Sequence, residues 1–299
     1  MAAIWIPKDQ RPGEARTAKE IARRIDLAGI VGFGGTLAAL LVFLMSLPNP
    51  DWIALAIAVV AGAALVTWEL RESLARPGLP GQPAPTDLPA NPDRPPRPFL
   101  DIRLLGRNLA LTRTYVRYAV LCLCMYTVLY GVTQWLQAGR GMSALEAGLI
   151  QLPMSAISGF IARPVSSRNL LRTPLIVAAV ACLAGAAGVL LFTHGSPVVV
   201  IAVDTLLFGV AMGAGTSANQ TALYAQVPAE QIGTASGLLR TSGYIGSIAS
   251  SAIISITFHN GVSDHGLHVI AVVMIAVSAL SVLLTVADQH LMRTKSAGR

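Results

Sequence analysis

Apolar and polar positions along this chain come in blocks rather than in alternation. Eight runs, at about 27–47, 51–70, 115–137, 144–162, 174–193, 197–220, 231–258 and 267–287, are nearly free of charge and separated by polar gaps. A helix rises 1.5 Å per residue, so ~20 apolar residues are needed to cross ~30 Å of hydrocarbon. The pattern therefore predicts an all-α polytopic membrane protein with eight transmembrane helices. Pro48-Asn49-Pro50 leaves so little chain between the first two runs that they must form an antiparallel hairpin. Val227-Pro228-Ala229-Glu230 ends the sixth helix and opens the seventh, because proline lacks a backbone donor and resists continuation.

Small residues recur at helical spacing in the sixth and seventh runs. Gly209 and Gly213 share one face, and Gly243, Ser247, Ser251 and Ser255 recur every fourth residue. Apolar helices gain little from hiding leucine from lipid, so they associate where small residues let backbones approach. Both runs read as helices built to pack against other helices.

The gaps set the domain organisation. Residues 1–25 are polar, 26–72 hold the helix hairpin, 73–114 a linker and a surface helix, 115–292 a six-helix bundle, and 293–299 a tail. Nine prolines fall among the 22 residues from Pro77 to Pro98, so this segment is expected to be extended and to pack no core. Phe99 to Leu105 alternates apolar and charged positions, as suits a membrane surface.

Composition changes the picture little. The chain is 54% hydrophobic and 12% charged with mean hydropathy +0.61, against ~25% charged residues in soluble domains. The net charge of +7 would suit nucleic acid only if the basic residues formed one face. They cluster in the gaps instead. Nineteen Lys and Arg lie in gaps on one side of the predicted membrane and only Arg140 on the other. That bias places both termini in the cytoplasm, as an even number of spans also requires. Residues 1–26 hold no apolar core of signal-peptide length.

Candidate chemistry is sparse. Cys122, Cys124 and Cys182 lie within apolar runs and read as small core residues. His259, Asp264, His265 and His268 have no regular ligand spacing and read as a solvated cluster, so no metal is expected. No nucleophile triad, phosphate-cradling glycine loop or nucleotide motif is present, so neither enzyme activity nor direct ATP use is expected.

Charges inside spans need a reason, since each costs roughly 2.5–3.5 kcal/mol on insertion scales. Two stand out, Asp204 about 10 Å below the outer surface and Arg240 about 13 Å above the inner one. Asp204 reads as a proton or cation site, as the partner of Arg240 across a gap the arginine stem can reach, or as an acid snorkelling outward. Tyr126, Tyr130 and Gln134, at four-residue spacing on the third helix, form a polar and aromatic stripe. Such a stripe suits either a cavity for lipophilic, hydrogen-bonding molecules or a plain helix contact.

Three motifs carry a resemblance. Trp135-Leu136-Gln137, then Gly141-Met142-Ser143-Ala144-Leu145-Glu146-Ala147-Gly148-Leu149 and Leu152-Pro153, resembles the start of a helix in the major facilitator superfamily, and more narrowly in its fourteen-helix drug:proton antiporter branch. Val227-Pro228-Ala229-Glu230, Gly233-Thr234-Ala235-Ser236-Gly237, Arg240 and Gly243 is similar to that branch's hinge between its twelfth and thirteenth helices. Arg24-Ile25-Asp26-Leu27-Ala28-Gly29 resembles the start of its seventh. Together they register residues 1 to about 292 onto the second part of such a transporter. The six earlier helices of that branch have no counterpart here. The loop after the fourth run, Gly159 to Arg168, keeps basic residues but lacks the acid of the family's acid–arginine–glycine motif.

The resemblance implies a bundle of two inverted three-helix repeats. The first two runs would be the branch's extra pair. The third and sixth would line a substrate path, with Asp204, Arg240, Tyr126, Tyr130 and Gln134 as its candidate residues. The fourth and seventh would face a partner bundle. It implies export of lipophilic or drug-like compounds by proton antiport across the plasma membrane, driven by a proton gradient with no cofactor. Its partners would be the lipid bilayer, a small lipophilic substrate, and a separate N-terminal half or a second copy. The alternative is a transport-incompetent remnant or a membrane interaction protein needing such a half.

Overall fold

The computed structural model describes residues 27–47, 49–74, 108–168 and 170–288. The N-terminal segment, the Pro77–Pro98 stretch, the Phe99–Leu105 surface helix and the tail, all expected from sequence, lie outside the described residues. Eight long helices follow one another: α1 Leu27–Met45, α2 Trp52–Leu74, α3 Leu109–Gly139, α4 Ala144–Ser167, α5 Arg172–Val189, α6 Val198–Gln226, α7 Ile232–Thr257 and α8 Asp264–Val286. Among the described residues there is no strand. α3 begins at Leu109, so residues 109–114 belong to the bundle and not to the linker.

Local chemistry fixes the ends. Asp51 accepts from the backbone N–H groups of Ile53 and Ala54 at the start of α2, and Asn108 accepts from Leu111 at the start of α3. Ser143 and Glu146 cap α4 reciprocally, after a turn in which Gly141 takes a left-handed φ of 72°. Ser263 caps α8 by accepting from Gly266 N–H.

The eight helices differ in length and composition. By length and composition, α3, α4, α5, α6 and α8 are long and apolar enough to cross a membrane. The apolar parts of α1 and α2, Gly29–Met45 and Trp52–Trp68, are shorter. α7 is long, but 13 of its 26 residues are Gly, Ser or Thr. That content follows from its packing.

Within the bundle, α3–α4–α5 and α6–α7–α8 interlock, with α4 along α6, α7 along α3, and α5 between α6 and α8. Both long crossings rest on glycine. A Cβ on Gly209 or Gly213 would strike the α4 backbone at Met154 or Ser158. One on Gly246 would strike the α3 backbone at Ala119, and one on Gly243 the Tyr118 ring. The contact face of α7 differs from the one expected. Gly243, Gly246, Ser250 and Ile254 are buried, and Thr127 donates to or accepts from Ser250 at 3.0 Å. Ser251 and Ser255 are exposed, and Ser255 donates to Leu47 C=O at 2.8 Å, where the hairpin meets the bundle. A four-residue repeat drifts around a helix of 3.6 residues per turn, so the later serines rotate off the seam.

The largest fully buried side chains, among them Trp135, Phe192, Phe208, Leu136 and Ile201, fill the far half of the bundle, away from the ends that carry Arg113, Arg163, Arg168 and Arg172. We call that second end the arginine-rich end.

Candidate functional site

The C-terminal half of α3 departs from α-helical geometry, with π-helical turns over Thr127–Val132 and Trp135–Gly139. Such turns leave backbone carbonyls seeking other donors. Gln151 of α4 supplies one. Its Nε2 donates to Val128 C=O at 3.2 Å and Leu129 C=O at 3.3 Å, and to the Thr133 hydroxyl. Its Oε1 is buried with no partner. Sequence reading missed Gln151, since a π-helical turn has no compositional signature.

On the opposite flank of those turns stands the predicted stripe. The Tyr126 and Tyr130 rings stack with centroids 5.6 Å apart at 27°. Tyr126 is half-buried, whereas Tyr130 is 49% exposed and Gln134 is exposed beside it. Tyr244 of α7 is also exposed. α3 thus turns an aromatic and amide face away from its own bundle.

Asp204 sits elsewhere. Six residues into α6, ~9 Å from that helix's start, it is buried and turned toward α5. Its carboxyl occupies the space a side chain at Gly188 would need. Oδ2 is buried without a hydrogen-bond partner. Arg240 does not pair with it. Arg240 is exposed on α7, ~12 Å from the arginine-rich end of that helix. The pair weighed from sequence is not formed, because similar depth on two helices says nothing about which way each side chain points. Nor does Asp204 face the tyrosine stripe: one lies in the α5–α6 contact, the other on the open flank of α3.

The bundle does hold a buried ion pair, which sequence reading missed. Arg117 of α3 is 2% exposed and donates from Nη1 to Asp288 Oδ2 at 2.9 Å. Asp288, just past α8, also accepts from Arg113 at 3.4 Å. Arg117 Nη2 donates to Thr114 Oγ1 at 3.1 Å, which in turn donates to Gln226 Oε1 of α6 at 3.3 Å. This network ties α3, α6 and α8 at the arginine-rich end. The signal was present, an arginine inside the third apolar run, but its partner lies 171 residues away.

At the far end, Asp264 has a structural role. It accepts from Trp135 Nε1 at 2.9 Å and from His194 N–H at 2.8 Å. Arg140 lies over the Trp135 ring, 5.6 Å from its centroid. His268 Nε2 is 2.7 Å from Phe192 C=O. Buried Cys124 and Cys182 both lie 3.4 Å from the Ser278 hydroxyl, packing α3, α5 and α8 together.

Interlocked triplets and a glycine-seamed crossing suit many polytopic proteins. Residues 25–251 match the family model of the Major Facilitator Superfamily. The chain belongs to that superfamily. It is 29% identical over 301 residues to the uncharacterized MFS-type transporter YwoD of Bacillus subtilis, covering 99% of this chain and 61% of that protein. It is 25% identical over 169 residues to the multidrug efflux pump LfrA of Mycolicibacterium smegmatis, covering 56% of this chain and 33% of the pump. It is 25% identical over 246 residues to the multidrug resistance protein Stp of Mycobacterium tuberculosis, covering 80% of this chain and 41% of Stp. The chain thus spans less than two thirds of the length of these relatives. Among the described residues of this superfamily chain, three polar features lie apart from one another: the open stripe of α3, the lone acid at the α5–α6 contact, and the arginine-rich clamp.

Proposed function

We propose that this chain supplies the second part of a secondary transporter that exports lipophilic or drug-like compounds in exchange for protons. The observation that carries the reading is the open face of α3, where Tyr130, stacked on half-buried Tyr126, and Gln134 beside it are exposed. A facing bundle, separately encoded or a second copy, would close a path over that stripe, and rocking between the two would alternate access. Aromatic rings with one amide suit flat lipophilic molecules carrying few polar groups. The arginine-rich end would face the cytoplasm of the cell that holds the protein in its plasma membrane.

In this reading Asp204 carries the proton. An isolated carboxylate in an apolar site is costly, so the acid would exchange a proton whenever the bundle's motion wets or dries the α5–α6 contact. The names of LfrA and Stp, a multidrug efflux pump and a multidrug resistance protein, support the substrate class.

Efflux of a lipophilic cationic dye from energised cells tests it, comparing the chain, the chain with Asp204→Asn, and empty vector. Proton-dependent efflux lost in Asp204→Asn is the expected result. Efflux unchanged in that variant would remove Asp204 as the coupling site. No efflux from the wild-type chain, alone or with a co-expressed N-terminal half, would favour a membrane interaction protein. That second reading draws on α4, whose Leu145, Leu149, Leu152 and Phe160 are all exposed.

A further inference from the structure

Beside the Arg117–Asp288 pair, a small cavity of about 20 Å³ lies among α3, α5, α6 and α8, lined by Arg117, Cys182, Asn219, Ser278, Ser281 and Thr285 along with apolar side chains. Two of its lining side chains are almost fully buried and incompletely satisfied. Arg117 spends Nη1 on Asp288 and Nη2 on Thr114, but Nε has no acceptor. Asn219 of α6 donates from Nδ2 to Gly215 C=O at 2.8 Å, which fixes the orientation of its amide, and its Oδ1 has no donor. One wall therefore offers an unused donor and another an unused acceptor.

We propose that this cavity is a binding site for one ordered water molecule, which accepts from Arg117 Nε and donates to Asn219 Oδ1. Water needs about 10–15 Å³ of such space and two to four polar partners, and both are present. The two requirements together select water over the alternatives. A cation would be repelled by the Arg117 guanidinium, and an anion is not called for because Arg117 already has its counter-charge in Asp288. An apolar occupant would leave both polar atoms unsatisfied. With the water in place every guanidinium nitrogen of Arg117 is used, and the clamp gains a second tie to α6, about two turns from Gln226. The site lies inside the bundle, away from the open face of α3, and does not rest on the transport reading.

Radiolytic hydroxyl labelling of the full chain in lipid nanodiscs, read by mass spectrometry, tests this. Radicals formed from a bound water mark the side chains around it, however deep. Leu175 and Cys182 line the cavity, whereas Phe208 and Trp135 are at least as buried and do not. The expected result is label on Leu175 and Cys182 above that on Phe208 and Trp135, after correction for intrinsic reactivity. Asn219→Leu, which removes the acceptor and fills the space, should abolish the excess. Leu175 and Cys182 labelled no more than Phe208 in the wild-type chain would overturn the proposal whether or not the variant folds. So would an excess that survives Asn219→Leu.

Discussion

Asp288 and Asp204 are both buried carboxyls of one bundle, and their surroundings are opposite. Asp288 is 1% exposed and is met by Arg117 at 2.9 Å and Arg113 at 3.4 Å. Asp204 is 9% exposed, meets the backbone of α5 at Gly188, and leaves Oδ2 without a donor. Burial alone does not separate a structural charge from a functional one; the completeness of its partners does. A charge with every bond made holds helices together. A charge left alone in the same medium is a cost that stability does not account for, which is why Asp204 carries the proposed chemistry.

The comparison is broken most directly at the clamp. Arg117→Met should cost about 3–5 kcal/mol, because it removes the buried, closer arginine of Asp288's two described ion pairs and leaves the half-exposed Arg113 pair. Thermal unfolding in mild detergent, followed by size-exclusion fluorescence, should show a large drop in the folded fraction. Adding Asp288→Asn to Arg117→Met should restore part of it, since the buried carboxylate that has lost its closer arginine is then neutral. A single variant as stable as wild type would show that the pair is not what joins α3 to α8.

Glycine seams come next. Gly213→Ala places a methyl against the Ser158 carbonyl of α4, and a rigid backbone cannot yield as a side chain can. Overpacking of this kind costs about 1–3 kcal/mol. Gly188→Ala meets instead the Asp204 carboxyl, so its cost should fall in the double variant Gly188→Ala/Asp204→Ala. Unfolding midpoints of the four proteins close that cycle, and strict additivity would mean that Asp204 does not occupy the Gly188 notch.

How much of this was legible beforehand follows a physical line. Periodicity and length gave the eight helices, because a membrane span needs a minimum number of apolar residues whatever it packs against. That Tyr126, Tyr130 and Gln134 share a face of α3 was legible for the same local reason: residues four apart share a helical face. What was not legible depends on azimuth between helices. Asp204 and Arg240 looked pairable by depth, yet one turns to α5 and the other is exposed. Arg117 and Asp288 pair across 171 residues of chain. The working face of α7 shifted from Ser247 and Ser251 to Gly246 and Ser250 because the drift of a four-residue repeat is settled only by the helix it meets.

Asp204→Asn sharpens the comparison by its sign. Replacing Asp288 with Asn in the otherwise intact clamp should destabilise, because two arginines lose their counter-charge. Replacing Asp204 removes a carboxyl that has no partner to lose. The variant should unfold at the same temperature as wild type or higher, a gain of up to about 1 kcal/mol, while proton-coupled efflux is lost. A clear drop in midpoint would mean that Asp204 has a structural partner after all, and would return it to the class of Asp288.

The smallest effects belong to the open surface. Arg240→Ala and Tyr130→Ala alter exposed side chains, so each should shift folding stability by less than about 0.5 kcal/mol. Their difference lies in binding. Tyr130 stacks on Tyr126 at 5.6 Å, on the face where the proposed path would run, whereas Arg240 lies near the arginine-rich end of α7. Tyr130→Ala should therefore weaken protection of the chain by a lipophilic cationic dye in a thermal-shift titration, with Arg240→Ala leaving the titration unchanged. Equal titrations in both variants would make the stripe a helix contact awaiting its partner, and would leave Asp204 as the surviving candidate for transport chemistry.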